Sequence, residues 1–505
     1  MASAGIFRLM NAFLRRLGRL AIPLVAAASF AGPLRAQDST SVRDADTTPV
    51  PPQVLSALRD TIAARYVAPV SRDSLQRFTT AQAMLASLRD RHTILFSPRD
   101  LAEFKVEAGQ RFGGIGARLG QRRDTAFVTS VLPGSPAQRA GLAAFDRIVA
   151  LDGRSVVGMP VDKVVEQIRG PVGSKLAMGV VRRGAKAAEP RALQRAEVQV
   201  PSVTASMVLD GGVGVVRLAQ FGEGATGEVA HAIDGLLQAG ATSLLLDLRG
   251  NPGGLLEEGL GVAQLFLPER SGLIEVRGRP GYPAQRASAG GPPRYPKLPL
   301  AVLVDQRSAS AAEILAGALQ DAKRARVFGS QSYGKGSVQE MVPLPEGWAV
   351  KLTIARWFTP KGRPIDRGVQ PADSLIDLDA PHTGGITPDV VIPPDSANVP
   401  PVAAVTAIGV AGWRTLADRI MDWTERHADE TAPVADSTEL AHMLDSIPVP
   451  PETRPQVEAW LSRELTASAL RARYGDAAED GWRLSRDAQL AAARALMARQ
   501  VRAQL

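Results

Sequence analysis

Strand-like and helix-like stretches alternate between residues 203 and 358 and predict an α/β fold, a β-sheet core covered by helices. Three observations carry this. Ser243 to Leu248 and Leu300 to Val304 are short apolar runs of the kind that form fully buried strands. Each is followed, after a turn rich in small or polar residues, by apolar side chains at helical spacing, in Leu255 to Leu267 and in Glu313 to Leu319. Val213 to Leu218 and Trp348 to Phe358 add two further strands, and Glu228 to Leu237 a further helix.

At the start of the 505-residue chain, Arg8, Arg15, Arg16 and Arg19 precede an apolar stretch, Leu20 to Ala31, and the segment closes on Ala36. A basic region, an apolar run too short to span a bilayer and a small residue at the end predict an export signal over 1–36. A retained anchoring helix is the other reading. Removing these residues takes five arginines and no acid, so the formal charge falls from +8 to +3. No dense basic patch remains, which argues against nucleic acid as a partner. The chain has no cysteine, so no disulfide supports it outside the cell.

Residues 37–52, rich in Asp, Ser, Thr and Pro, read as a linker. Residues 53–104 carry helical periodicity through Leu55, Leu58, Ile62 and Tyr66 and end in the turn Asp90-Arg91-His92-Thr93. Over 105–200 the pattern changes to short strands and glycine turns. Phe112-Gly113-Gly114-Ile115-Gly116 leads into Phe127 to Val131, and Val161 to Ile168 has the spacing of a helix. Residues 201–395 hold the α/β pattern. After Pro401 an Ala-, Arg- and Leu-rich region, 396–505, predicts several helices broken at Pro433, at Pro448 to Pro451 and at Gly475.

The chemistry concentrates where the strand Leu300 to Val304 turns into a helix. Ser310 stands at that turn, and the amide of Ala311 is one of the helix's unpaired N-terminal donors, an arrangement that suits a nucleophile with an oxyanion donor beside it. None of the five histidines lies near such a turn. Lys335, bracketed by Gly334 and Gly336, is the better base, because close packing against glycine backbone desolvates an amine and lowers its pKa. Gln339 can orient that amine without charging it. The plainer alternative is a helix cap at Ser310, a surface lysine and a strand glutamine. Asn251-Pro252-Gly253-Gly254 reads by itself as a tight turn. No metal-spaced His or Cys set and no phosphate loop is present, so no cofactor is expected.

Ser-Ala-Ser-Ala-Ala-Glu-Ile-Leu-Ala-Gly-Ala-Leu-Gln-Asp at 308–321, followed by Gly-Lys-Gly-Ser-Val-Gln at 334–339, resembles the carboxyl-terminal processing (tail-specific) serine proteases. The resemblance implies a crotonase- or Clp-protease-like core, with Ser310 as nucleophile, Lys335 as general base and Gln339 as its partner. It places an oxyanion amide on Gly253, with Gly254 as the rival, beside that of Ala311. Residues 105–200 resemble the PDZ domain that this family carries. Phe112, Gly113, Gly114, Ile115 and Gly116 would then hold a peptide's terminal carboxylate, with the peptide added as a strand.

The chain departs from the family pattern at several positions. Ala312 stands where many members have serine, Arg91 replaces a proline, and Phe145 stands where a glycine precedes Asp146. An extra stretch, 367–384, displaces the closing Gly-Ile-Thr-Pro-Asp. The resemblance implies an endopeptidase acting on protein substrates with free C-termini, and leaves a homo-oligomer open; with the export signal over 1–36, the periplasm or cell envelope is the expected location. A non-catalytic PDZ scaffold and a crotonase-like acyl-CoA enzyme are the alternatives.

Overall fold

The computed structural model describes residues 49–90, 92–108, 112–281, 283–367, 383–395 and 400–504. The expected export signal and most of the 367–384 stretch lie outside these residues. Two compact units result. One is built from the N-terminal segment to residue 109, residues 201–392 and the last ten residues; the other comprises 110–200 and 393–495.

The first unit contains two sheets rather than the single one that the alternating pattern suggests. The larger has six strands in the order Val203–Leu209, Val213–Leu218, Ser243–Asp247, Leu300–Val304, Arg326–Gly329 and Val390–Val391. Only the first pair is antiparallel. The parallel strands Ser243–Asp247 and Leu300–Val304 are buried at every position, as a doubly covered sheet requires. Helices Ala225–Gln238, Leu256–Gln264 and Ala311–Asp321 share one apolar core with them, including Val229, Leu260, Leu315 and Val302.

The second sheet centres on the ten-residue strand Ala349–Phe358, which pairs with Ile94–Phe96, Gly272–Gly278 and Ser337–Pro343. The N-terminal helix Pro52–Arg65 buries Val54, Leu58 and Ile62 against Val342, Val350 and Leu352 of this sheet. The segment that follows Lys335 thus departs from the larger sheet and enters the smaller one.

In the second unit, strands Ala117–Arg122, Thr125–Val131, Arg147–Leu151, Lys175–Val181 and Glu189–Gln194 form an antiparallel sheet in that order. Its inner face closes on the helix Val161–Ile168 through Val128, Ile148, Val164 and Ile168. On the outer face, Phe127 and Phe145 stack with ring centroids 6.2 Å apart and pack with Ala428, Met421 and Ala472 of the C-terminal helices Val402–Arg426 and Arg454–Tyr474 and the turn after the first. Arginines ring this contact. Arg122 pairs with Asp422 and Glu425, Arg183 with Asp429, and Arg118 with Asp476.

Phe145 takes φ +68°, the left-handed conformation that favours glycine. The turn is therefore made as a glycine would make it, under strain, and the ring is held by the helices packed on it. The strain and the burial predict an order of stability. Phe145→Ala loses the ring and keeps the strain, whereas Phe145→Gly loses the ring and relieves it. Both variants should be less stable than the parent, with Phe145→Gly the better of the two by about 1 kcal/mol. Urea unfolding followed by tryptophan fluorescence would show this order.

Candidate active site

Two loops leave the C-terminal ends of the adjacent parallel strands Ser243–Asp247 and Leu300–Val304, and side chain–backbone bonds lace them together. Ser308 Oγ donates to the Leu248 carbonyl at 2.8 Å, and the Gly250 amide to Asp305 Oδ1 at 2.9 Å. Asn251 is fully buried. Its Nδ2 donates to the Leu218 carbonyl and its own carbonyl accepts from the Ala309 amide, both within 2.9 Å. Beneath them Asp247, fully buried, is gripped by Arg249 at 2.7 Å and Arg217 at 3.4 Å. The paired guanidinium charges hold its carboxyl below the usual range in spite of burial.

Ser310 sits at the head of the helix Ala311–Asp321 with φ +55° and ψ −117°. This is a strained, sparsely populated conformation for serine, of the kind kept where the surroundings over-determine it. Gly253 lies directly against it. A β-carbon on Gly253 would come within 2.7 Å of Ser310 Cβ and 3.1 Å of the Ala311 nitrogen, so only glycine fits. The loop, the nucleophile candidate and the first helical amide are thereby brought to one spot.

The amides differ in their engagement. Those of Ala311 and Gly254 make no hydrogen bond among the described residues, whereas the Gly253 amide donates to Asn251 Oδ1 at 2.8 Å. Gly253 would have to release Asn251 to bind an oxyanion; Gly254 would not.

Glu313, one turn into the helix, binds the site together. Its side chain is fully buried and takes four donors. Oε2 accepts the backbone N–H of Ser310 at 2.8 Å and that of Lys335 at 2.9 Å, while Oε1 accepts Ser332 Oγ and the Gly334 amide, both at 2.6 Å. One oxygen atom therefore couples the backbones of the two candidate residues. Burial pushes the Glu313 carboxyl above its ordinary pKa, against these donors, which favour the charged form.

Burial likewise pushes the Lys335 amine below the ordinary lysine value, and the Glu313 charge opposes that shift. The amine makes no hydrogen bond or ion pair among the described residues. Gln339 Nε2 donates to Ser337 Oγ at 2.7 Å and to Thr353 Oγ1 at 3.4 Å, which leaves its carbonyl oxygen as an available acceptor. The Asp90–Thr93 turn supports this floor. Thr93 Oγ1 donates to Asp90 Oδ2 at 2.7 Å and accepts the Thr353 amide at 3.2 Å.

In the second unit, Gly113 packs so tightly that a β-carbon would meet the Gly170 carbonyl oxygen at 2.0 Å, and Gly116 takes φ +72° against Ser135. The carbonyls of Gly113, Ile115 and Gly116 accept from Gly170, Ala137 and Leu132, which aligns the loop. The amides of Ile115 and Gly116 make no hydrogen bond among the described residues. The Ile115 side chain is 3% exposed and fills the domain's core with Val164 and Ile168, so of this residue only the backbone is left for the loop. Phe112 stands in a short strand with Gly113 and Gly114; its side chain lies outside what is described.

The sequence pattern of Peptidase family S41 matches residues 212–374, and that of the PDZ domain residues 103–181. The carboxyl-terminal-processing protease of Synechocystis is 35% identical over 321 residues, covering 62% of this chain and 74% of that protein. The carboxy-terminal processing protease CtpB of Bacillus subtilis is 33% identical over 317 residues, 62% of this chain but 65% of the relative, a little under two thirds of its length. Among solved structures, the photosystem II D1 C-terminal processing protease is 29% identical over 68% of this chain and 94% of that one, with a TM-score of 0.41.

Glu313→Gln tests the central carboxylate. An amide group offers one oxygen where two are needed, so at least one pair of buried donors loses its acceptor. Each such loss costs about 1–3 kcal/mol. The thermal midpoint should fall by several degrees, and turnover of an unfolded protein substrate should fall at least tenfold.

Proposed function

Because the chain belongs to the carboxyl-terminal processing proteases of peptidase family S41, which are serine-type peptidases with a PDZ domain, we propose that Ser310 and Lys335 form its catalytic dyad. The observation that carries this is the single Glu313 oxygen shared by their backbone amides. Ser310 Oγ attacks the scissile carbonyl carbon as Lys335 Nζ takes its proton. The oxyanion is held by the Ala311 amide and a glycine amide of the Gly253–Gly254 pair. Collapse breaks the C–N bond, and Lys335 returns its proton to the leaving amine. Water, deprotonated by the same lysine, then cleaves the acyl-enzyme and releases a carboxylate. Gln339 steadies the amine through its free carbonyl.

Substrate selection belongs to the same proposal. The uncommitted amides of Ile115 and Gly116 suit a free terminal carboxylate, and among the described residues no strand of the sheet pairs with the outer edge of Ala117–Arg122. Among solved structures, a PDZ domain of a carboxy-terminal protease from Vibrio cholerae, 32% identical over 18% of this chain, is described in complex with a peptide. Export through residues 1–36 completes the proposal and places the enzyme in the periplasm or cell envelope. No helix among the described residues is long and apolar enough to cross a membrane.

Ser310→Ala and Lys335→Ala should each lower turnover by several orders of magnitude, and the double variant by little more, since nucleophile and base act as one unit. Full activity in Ser310→Ala would refute the dyad. A buried general base must be neutral to act. The rising limb of kcat/KM against pH should therefore lie below the ordinary lysine value of 10.5. A peptide with an amidated C-terminus should be cleaved roughly tenfold more slowly at subsaturating concentration than its free-acid twin. Equal rates would refute terminal selection.

A further inference from the structure

We infer that Arg195 is a positioning residue for peptide recognition, the brace that sets the Gly113–Gly116 loop against the helix Val161–Ile168. This rests on the terminal-carboxylate reading above. Arg195 is 8% exposed, and an arginine at that depth normally has a carboxylate beside it. Here no acid pairs with it among the described residues. Its donors go to neutral oxygens instead. Nε donates to the Ile168 carbonyl at 2.6 Å, and one terminal nitrogen donates to that of Gln167 at 2.9 Å. The other donates to the Lys175 carbonyl at 2.9 Å and to Ser174 Oγ at 3.1 Å. The last carbonyls of a helix have no partner within it. Gln167 and Ile168 close the helix Val161–Ile168, so the planar guanidinium caps that end.

The same residue reaches the loop along two routes. By the backbone, Arg195 leads directly into the strand Ala196–Val198. That strand pairs with Phe112–Gly114, the entry to the loop, with Ala196 opposite Gly114 and Glu197 opposite Gly113. By its side chain, Arg195 lies against Gly170, where a β-carbon would meet Nε at 2.9 Å. Gly170 in turn donates its amide to the Gly113 carbonyl at 3.0 Å. Loop, glycine and guanidinium are thus stacked with no β-carbon between them.

The far end of the same helix is tied as well. Gln121, in the strand Ala117–Arg122, accepts the Val161 amide on Oε1 at 2.9 Å. A peptide added along that strand enters the gap between strand and helix. Gln121 fixes this gap at one end and Arg195 at the other. The Ile115 and Gly116 amides follow immediately after the Arg195 tie, which holds them in place before a ligand arrives. Donors ordered in advance bind without a further ordering cost. Only a free carboxylate draws the charge-assisted part of that contact.

The test is peptide binding by fluorescence anisotropy, on the full chain carrying Ser310→Ala so that nothing is cleaved. A peptide labelled at its N-terminus should bind roughly tenfold tighter with a free C-terminus than with an amidated one. Adding Arg195→Met should weaken the free-acid peptide to about the level of the amide, and leave the amide where it was. A brace of the fold alone would weaken both peptides alike. An intact preference in Arg195→Met, well below its thermal midpoint, would therefore overturn the inference. Equal binding of the two peptides before Arg195 is changed would instead fault terminal selection itself, and the inference with it. If Arg195→Met does not fold, Gly170→Ala displaces the guanidinium from outside, since its β-carbon needs the space that Nε occupies. Loss of the preference in Gly170→Ala supports the inference, and full retention overturns it.

Discussion

Everything in the catalytic unit depends on one buried carboxylate. Glu313 receives the amides of Ser310, Gly334 and Lys335 and the hydroxyl of Ser332. None of these donors could be left unpaired at such depth without a large desolvation cost. Folding around Glu313 therefore fixes the head of one helix against the entry of a strand from another sheet. Ser310, held at a strained φ, donates its amide to this same carboxylate. The carboxylate that builds the site also works against it. Its charge draws a proton toward Lys335, and burial of the amine has to outweigh that pull.

The larger sheet is an anvil, and its parallel strands deliver two loops to one end. Ser308 and Asp305, and the Asn251 carbonyl that accepts the Ala309 amide, tie those loops to each other. The proposed base, Lys335, immediately precedes the strand Ser337–Pro343 of the smaller sheet. The proposed dyad thus straddles two sheets that share one core, and the chain crosses between them within the few residues around Lys335. Gly334 and Gly336 sit at that crossing because β-carbons there would strike Arg367 and Asp366, at 2.8 Å and 2.1 Å. The glycines that on sequence grounds suggested a desolvated amine are accounted for by backbone packing. Both readings hold, since close backbone is what excludes water.

Much of this was legible in the sequence, and the parts that were not share a physical character. The buried strands, the helix after Ser310 and the breaks among the C-terminal helices announce themselves through local periodicity and punctuation. Ser310, Ala311 and Lys335 could be singled out because a strand–turn–helix and flanking glycines are local signals, whereas Gly253 came only with the family resemblance. Glu313 was in plain view as the acid three residues into a helix, but such an acid normally reads as a cap or a dipole partner. Its bonds to residues 332–335 come only from tertiary folding. The split into two sheets was equally hidden, since strand periodicity does not say which strand pairs with which. The same holds for Asp90 and Thr93, whose support of Thr353 spans some 260 residues of chain.

The aromatic pair on the outer face of the PDZ sheet has a consequence for how the chain is made. Phe127 and Phe145 lie early in the sequence, and the helices that cover them are translated only after the whole of 201–392. At ribosomal speeds of roughly 5–20 residues per second, that gap is on the order of tens of seconds. Through it the domain presents two uncovered rings, one of them on a strained turn, ringed by arginines whose acidic partners do not yet exist. A nascent chain in this state is a natural client for a holding chaperone, and a message cut short before residue 402 would leave it one permanently.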